Sequence, residues 1–306
     1  MLDSPALVAK PLIPSVRTRA VGLVRTARPR QWVKNLLVVA AAGAAGALGR
    51  QDVPLRTGLT FLAFCLLASG IYAINDVRDA EDDRRHPTKR FRPVAAGQLP
   101  ARDAVIAGLG SVLLGLLLAF AVDPLLGWTA IGYVALTLSY TLVWRHLVVF
   151  DIVAVAGGFV LRAIAGGVAA QVPLSLWFTL VVAFAALLVA TGKRLAELMR
   201  TEADDAHRRR VLRIYTDSVL RMVMLASLVG VLVVYLLWAL QDSGRSGMPW
   251  RLLTVIPFSF ALTRYVMVAR VGAGESPEEL IFHDQLLRLA GVAWLALFVL
   301  DVNATT

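Results

Sequence analysis

Apolar runs about 20 residues long recur along the whole chain and leave little room for a soluble domain. A bilayer core of about 30 Å needs roughly 20 apolar residues for each helical crossing. The charge-poor runs of suitable composition are residues 36–49, 57–75, 104–122, 125–144, 152–170, 172–192, 222–240, 252–269 and 289–300. The sequence therefore predicts an all-α polytopic membrane protein in which residues 1–306 form one membrane domain. We expect about nine transmembrane helices, with eight as the alternative because the first and last runs are short.

Positive residues are distributed unevenly between alternate segments of the chain. Of the 31 Lys and Arg residues, 25 lie in the N-terminal segment and in every second loop after it, whereas the intervening loops hold four. Lys and Arg mark the cytoplasmic side, so the N-terminus is predicted inside and, with nine spans, the C-terminus outside. This distribution explains the net charge of +10 without nucleic acid as a partner. Residues 1–34 are interpreted as a basic cytoplasmic tail before an uncleaved first span.

The densest charge follows the second predicted span, in the stretch NDVRDAEDD at residues 75–83. In a helix that continues past the membrane surface, Asn75, Asp79 and Asp83 are four residues apart and share one face, with Asp76 in the same sector. Amide and carboxylate oxygens suit Mg²⁺, which is usually shared with substrate phosphates. A diphosphate–Mg²⁺ site is one interpretation, and a solvated helix end held by local ion pairs is the other.

The continuation of this stretch, HPTKRFRPVAAG, is basic rather than acidic. Lys89, Arg90 and Arg92 follow Pro87, which breaks the helix. Carboxylates that hold a metal, followed by cations, suit a polyanionic phosphate ester, because the metal neutralises the inner oxygens and Lys and Arg bind the others. We therefore predict that these three side chains bind phosphate.

Two other segments on the same predicted face of the membrane carry related groups. Lys34 and Asn35 lie at the mouth of the first span, and Lys193, Arg194 and Glu197 follow the sixth span. Because Glu197 is three residues from Arg194 and four from Lys193, surface ion pairs explain the second group equally well.

Arg162 stands in the middle of the fifth predicted span. A cation at the bilayer centre costs roughly 2.5–3.5 kcal/mol on insertion scales, and such residues usually face a cavity or a partner. We predict that Arg162 faces a cavity. Arg264 is similarly placed in a later span, with fewer supporting features.

The residues 75–83 match the signature N-D-x-x-D-x-x-x-D, and the chain resembles the UbiA superfamily of intramembrane prenyltransferases. The resemblance covers nearly the whole chain, through the number of spans, the position of the motif and a second polar segment after the sixth span. It implies nine transmembrane helices around a central cavity that is capped on the cytoplasmic side and open laterally to lipid.

At two places the sequence differs from the motifs of the common aromatic prenyltransferases, and these differences indicate one branch of the superfamily. Those enzymes usually carry R-T-x-x-R-P after the first motif, whereas this chain has DRRHPTKRFRP, and KRLAELMRTEADD stands where a second aspartate-rich motif is expected. With RPRQWVKN and YTLVWRHLVVFDIVAVAGGFVLRAIAGG, these segments are similar to the decaprenyl-phosphate phosphoribosyltransferase branch. That branch moves phosphoribose from PRPP to a polyprenyl phosphate for cell-wall arabinan.

The resemblance implies Mg²⁺-dependent transfer at the cytoplasmic face of the plasma membrane, with 76–103 and 193–221 as catalytic segments. Asn75, Asp79 and Asp83 are the implied metal ligands, with Asp76 in support. The groups expected at the substrate phosphates are Lys34, Asn35, Lys89, Arg90, Arg92, Tyr140, Arg162, Lys193, Arg194 and Glu197. PRPP, a polyprenyl phosphate and the membrane are the expected partners, and a homo-oligomer, taken as a trimer, is an open expectation.

Two other functions are weighed against this one. A prenyltransferase that joins a polyprenyl diphosphate to an aromatic acceptor would carry a second aspartate-rich motif after the sixth span, and the match here is imperfect. A transporter that uses Arg162 and a charged vestibule would be expected to show inverted repeats, and the sequence has no convincing internal repeat.

Overall fold

The computed structural model describes residues 15–142, 150–201, 217–241, 248–272, 280 and 283–305, and within these ranges the regular elements are all helical. In chain order the helices are α1 Val16–Ala27, α2 Leu36–Ala44, α3 Val53–Arg78, α4 Ala80–Arg85, α5 Ala101–Val122, α6 Pro124–Leu142, α7 Phe150–Ala170, α8 Leu176–Thr201, α9 Asp217–Gln241, α10 Trp250–Leu253, α11 Val255–Arg270 and α12 Gln285–Thr305. Three 3₁₀ segments accompany them, at Pro29–Asn35, Ala47–Gly49 and Lys89–Phe91.

Eight helical segments of the described chain are long and apolar enough to cross a membrane, so the all-α prediction is confirmed and the predicted count of nine is approximate. They are α3, α5, α6, α7, α8, α9, the α10–α11 pair and α12. Within the predicted first span, residues 36–49, the observed helix is shorter than expected. Its helix α2 has nine residues and ends before Gly46, which adopts a left-handed conformation with φ of 62°.

Contacts between helix termini define what we call the charged end of the bundle, which consists of the C-termini of α3, α6 and α8 and the N-termini of α5 and α7. Arg78 at the end of α3 donates a hydrogen bond to the carbonyl of Thr141 at the end of α6. Asp151 at the start of α7 pairs with Arg194 near the end of α8. The alternation of termini shows that these helices run antiparallel to their neighbours in sequence.

Glycines allow the closest helix contacts, as expected where lipid is as apolar as a side chain and packing holds helices together. A Cβ atom on Gly70 of α3 would lie 2.5 Å from the carbonyl oxygen of Gly108 on α5. A Cβ atom on Gly166 of α7 would lie 2.2 Å from the carbonyl oxygen of Val38 on α2. The short helix α2 is thereby held against α7, which positions Asn35, the residue before it, inside the bundle.

The segment before α2 contacts the bundle through the end of α1 and the 3₁₀ segment that follows it. The indole N–H of Trp32 donates to Ser69 Oγ at 3.1 Å, and this hydroxyl donates to the carbonyl of Ala27 at 3.1 Å. Both contacts attach the segment to the middle of α3.

Candidate active site

The motif NDVRDAEDD lies across the junction of α3 and α4 at the charged end. The helix is interrupted at Asp79 (φ −91°, ψ 3°), so the expectation of one continuous helix is wrong there. The four-residue backbone hydrogen bonding nevertheless continues, from Asp79 N to the Asn75 carbonyl at 2.9 Å and from Asp83 N to the Asp79 carbonyl at 2.8 Å. The predicted i, i+4, i+8 register is therefore kept through a bend.

Asp76 and Asp83 are buried and share a guanidinium. Arg92 Nη1 donates to Asp83 Oδ2 at 2.7 Å and lies 3.5 Å from Asp76 Oδ1. Arg28 Nη2 contacts the same Asp76 oxygen at 2.5 Å, and its guanidinium carbon lies 4.9 Å from the centre of the Tyr72 ring. Two carboxylates and two arginines form one compensated group, which we call the acid–arginine cluster.

Two side-chain oxygens, one on a member of this cluster and one on the residue before it, have no hydrogen-bond partner in the described part of the chain. They are Asn75 Oδ1 and Asp76 Oδ2, and both are buried. Buried oxygens without a donor are costly unless a ligand completes them, and amide and carboxylate oxygens are what Mg²⁺ binds. The donor set therefore fits a magnesium ion.

A complete metal cage of protein side chains is not formed. Among the described residues, no three His, Cys, Asp or Glu side chains are grouped closely enough to hold a metal. Mg²⁺ usually keeps several waters and is bound through one or two carboxylates plus substrate phosphates. The unpartnered oxygens of Asn75 and Asp76 fit partial coordination of this kind rather than a complete protein cage.

The basic loop after α4 turns back towards these acids. His86 Nδ1 accepts hydrogen bonds from the backbone N–H groups of Thr88 and Lys89, both at 3.3 Å. Lys89 is half-buried, and Arg90 is exposed with its guanidinium 4.9 Å from the centre of the Phe91 ring. Arg92, the third cation predicted in this loop, contacts the buried carboxylates of Asp76 and Asp83.

Arg162 is buried inside the bundle and is held by neutral groups. Its Nε donates to Asn35 Oδ1 at 2.7 Å, Nη1 to the Gly158 carbonyl at 2.8 Å and Nη2 to the Tyr133 hydroxyl at 2.8 Å. The guanidinium also lies over the rings of Tyr133 and Phe159, at 4.7 and 5.7 Å. No carboxylate of the described residues lies within ion-pair distance of it, so neutral groups alone satisfy its N–H donors there.

Asn35 and Lys34 link this buried arginine to the start of α2. The Asn35 amide donates to Cys65 Sγ at 3.2 Å while its oxygen accepts from Arg162. Lys34 is half-buried, with Nζ 3.3 Å from Gln31 Oε1. The structure therefore brings Asn35 and Arg162 together across 127 positions of sequence.

Arg194 is also buried but has acidic partners. Nε contacts Asp151 Oδ2 at 2.6 Å, Nη1 pairs with Glu197, and Nη2 donates to the Tyr140 hydroxyl at 2.7 Å. The ion pair expected between Arg194 and Glu197 is present, but it is buried rather than on the surface. The group joins the ends of α6, α7 and α8, and the neighbouring Lys193 is half-buried.

Arg28, Tyr133 and Asp151 belong to these clusters but were not predicted from the sequence. Asp151 carries a signal of its own, because an ionisable residue at the edge of an apolar run marks an interior contact. Arg28 adopts φ of 52°, unusual for a residue with a Cβ, and no local pattern in the sequence indicates this conformation.

The remaining intramembrane cation and the cavities lie away from the acid–arginine cluster. Arg264 is paired with Asp284, with both Nε and Nη2 at 3.0 Å from Oδ2. A cavity of 410 Å³ lies between Asp123 and Gln171, at the ends of α5 and α7 remote from the charged end. A second, of 500 Å³, is lined by apolar side chains of α10, α11 and α12. Residues 202–216 of the predicted segment 193–221 lie outside the described residues.

The fold and this site define a class of protein. Residues 36–284 match the UbiA prenyltransferase family, and the chain belongs to that family. The fold is also that of a UbiA homolog from Archaeoglobus fulgidus bound to GPP and Mg²⁺, with a TM-score of 0.67 and 15% identity over 92% of this chain and 99% of that one.

Curated relatives are similar to this chain over nearly its whole length. The decaprenyl-phosphate phosphoribosyltransferase of Mycolicibacterium smegmatis is 42% identical over 300 residues, which cover 94% of each chain. The decaprenyl-phosphate phosphoribosyltransferase of Corynebacterium glutamicum is 42% identical over 290 residues, covering 92% of this chain and 87% of that protein.

Proposed function

We propose that this protein transfers 5-phosphoribose from PRPP to decaprenyl phosphate and releases diphosphate. The observation that carries the proposal is the 42% identity, over 94% of the chain, with a protein named decaprenyl-phosphate phosphoribosyltransferase. The geometry supports it in two places. The acid–arginine cluster offers metal and phosphate ligands, and Arg162 offers a buried positive charge that no described carboxylate neutralises.

The diphosphate of the donor is proposed to bind at the junction of α3 and α4. Asn75, Asp79 and Asp83 would hold Mg²⁺ with Asp76 in support, and the unpartnered oxygens of Asn75 and Asp76 support this assignment. When bound, the metal supplies electrostatic stabilisation of the departing diphosphate.

The basic groups around this junction are proposed to bind the donor's other oxygens. Arg92 already contacts both buried carboxylates, so once those carboxylates have a metal its guanidinium can turn to a phosphate. Lys89 and Arg90 extend from the same loop. Lys193 lies beside the Arg194 group, which fixes the ends of three helices and supports Tyr140.

The acceptor phosphate is proposed to bind at Arg162 and Lys34, with the polyprenyl tail along the apolar helices. The C1–O bond to diphosphate breaks with its electron pair leaving on the diphosphate, and an acceptor phosphate oxygen forms the new C1–O bond. That oxygen is already anionic near neutral pH, so no side chain has to remove a proton. Attack from the opposite face inverts C1 and gives a β-linked product.

The charged end is proposed to face the cytoplasm, with the N-terminus inside and the protein in the plasma membrane. The excess of Lys and Arg in alternate segments supports this orientation. PRPP is a phosphorylated, membrane-impermeant donor, so a cytoplasmic site gives it access. The trimer stays a prediction.

The proposal is tested with purified protein, Mg²⁺, decaprenyl phosphate and PRPP labelled in the ribose. Label is expected in the lipid extract for the wild type and to be lost in Asp79→Asn. Asp82→Asn is the matched control, because Asp82 is exposed on α4. Label that stays in water, with prenylation of an aromatic acceptor when a polyprenyl diphosphate is supplied, would instead support the aromatic prenyltransferase function.

A further inference from the structure

Helix α1 packs against the charged end through one narrow face. Gly22 and Thr26 are buried on that face, and a Cβ atom on Gly22 would lie 3.2 Å from Leu99 Cβ. Arg19 Nη1 contacts Asp103 Oδ2 at 3.2 Å, in the first turn of α5. The large apolar side chains of the helix, such as Val16, Val21 and Val24, are exposed.

The two ends of α1 lie at different depths in the bundle. Its start is level with Asp103, which precedes the apolar run of α5. Its last carbonyl, that of Ala27, accepts from Ser69 Oγ at 3.1 Å. Ser69 lies seven residues before Asp76 on α3, which is about 10 Å along a helix axis. The last carbonyl of α1 therefore lies beside the apolar part of α3, while Arg25 and Arg28 still contact groups of the charged end.

The outward surface of α1 carries apolar side chains together with exposed arginines. Val16 is 85% exposed and Val24 62% exposed, and with Ala20 they follow each other at four-residue spacing on one side of the helix. Arg25 is exposed about 100° further around the helix than Val24, and its Nη1 lies 3.4 Å from Gln98 Oε1. Arg17 and Val21 are exposed between Val24 and Arg25. There is no acidic residue between Asp3 and Asp52.

We propose that the outward face of α1 is a docking surface for the anionic lipid leaflet at the charged end. The apolar side chains reach the acyl region and the arginines reach the headgroups, as in interfacial amphipathic helices. Lipid is the occupant because the exposed surface of α1 combines apolar side chains with arginines and the helix contains no acidic residue. A second copy of the same basic face would be repelled. Since Arg28 follows α1 directly, this helix also fixes one partner of Asp76.

The chain's single cysteine makes a direct test possible. Cys65 is buried, with 1% exposure, so a cysteine introduced on α1 can be labelled selectively with a nitroxide. Val24→Cys and Arg25→Cys are a matched pair, since they are adjacent in sequence and their side chains point about 100° apart around the helix. Each variant is reconstituted in nanodiscs of phosphatidylglycerol and phosphatidylcholine, and collision rates with oxygen and with a water-soluble nickel chelate are measured.

The nitroxide at position 24 is expected to collide mainly with oxygen and that at position 25 mainly with the nickel chelate. The contrast should weaken in pure phosphatidylcholine or when Arg17→Gln is added. Equal access of the nickel chelate to both positions would show a water-facing helix and overturn the proposal. Protection of position 24 from both reagents would show that protein covers this face, and would overturn it as well. The readout does not depend on PRPP transfer.

Discussion

Replacement of Arg92 by Gln is predicted to tighten metal binding while it weakens PRPP binding. Arg92 Nη1 lies 2.7 Å from Asp83 Oδ2 and 3.5 Å from Asp76 Oδ1, so this nitrogen occupies the space between the two buried carboxylates. A divalent cation that binds these oxygens has to displace the guanidinium. Arg28 still contacts Asp76 in the variant, which limits the repulsion between the two acids.

The expected size of the effect follows from the lost contact. A hydrogen bond between charged groups contributes about 1.5–3 kcal/mol. The Arg92 side chain is 28% exposed, so solvent screening places the value at the lower end of that range. Because about 1.4 kcal/mol corresponds to a tenfold change in an equilibrium constant, Arg92→Gln should bind Mn²⁺ about tenfold more tightly. Its KM for PRPP should rise, since a phosphate-binding cation is lost.

The measurement is a titration of purified protein in nanodiscs with Mn²⁺, followed by the electron paramagnetic resonance signal of the free ion, without PRPP. Arg90→Gln is the control. It removes the same charge two residues away, from an exposed side chain that lies over Phe91. Unchanged or weaker Mn²⁺ binding by Arg92→Gln would refute the displacement argument. Equal tightening by both variants would show a general charge effect and would refute it too.

Three further predictions concern packing and the two substrates. Gly70→Ala should destabilise the protein by about 1–3 kcal/mol through overpacking against Gly108, whereas Gly110→Ala, with open space around its Cβ, should not; thermal unfolding in detergent compares them. Arg162→Gln should raise the KM for decaprenyl phosphate about 10- to 100-fold, because a charged contact of about 1.5–3 kcal/mol is lost, and should leave the KM for PRPP nearly unchanged. Lys193→Ala should raise the KM for PRPP, and an unchanged value would return this residue to the ion-pair interpretation.

The transmembrane helices could be predicted from sequence because their signal is local. A run of about 20 apolar residues identifies a span without knowledge of its neighbours, and α3, α5 and α7 include the predicted runs. The segment before α2 could not be predicted this way. Its 3₁₀ segment Pro29–Asn35 and the nine-residue α2 are too short for a span signal, and contacts with Ser69 and Gly166 stabilise their positions.

The site residues that could be predicted lie in a local sequence pattern, whereas those that were missed depend on contacts between distant segments. The i, i+4 spacing of NDVRDAEDD is local, and its register persists through the bend at Asp79. The contact between Arg28 and Asp76 joins positions 48 residues apart, and that between Asp151 and Arg194 joins two helices. One sequence carries no information on such pairs until the helices are packed, so the roles of both pairs follow from the structure alone.

The two buried arginines, Arg162 and Arg194, differ in the compensation of their charge rather than in their burial. Their relative exposures are 6% and 2%, so both pay a desolvation cost. The ion pairs with Asp151 and Glu197 offset this cost for Arg194. Removal of either acid would leave part of a buried charge uncompensated. Within the described part of the chain, Arg162 has only neutral acceptors, which satisfy its N–H groups without cancelling its charge. An anion that reaches this interior gains the most at Arg162, so the acceptor phosphate is better placed there than at Arg194.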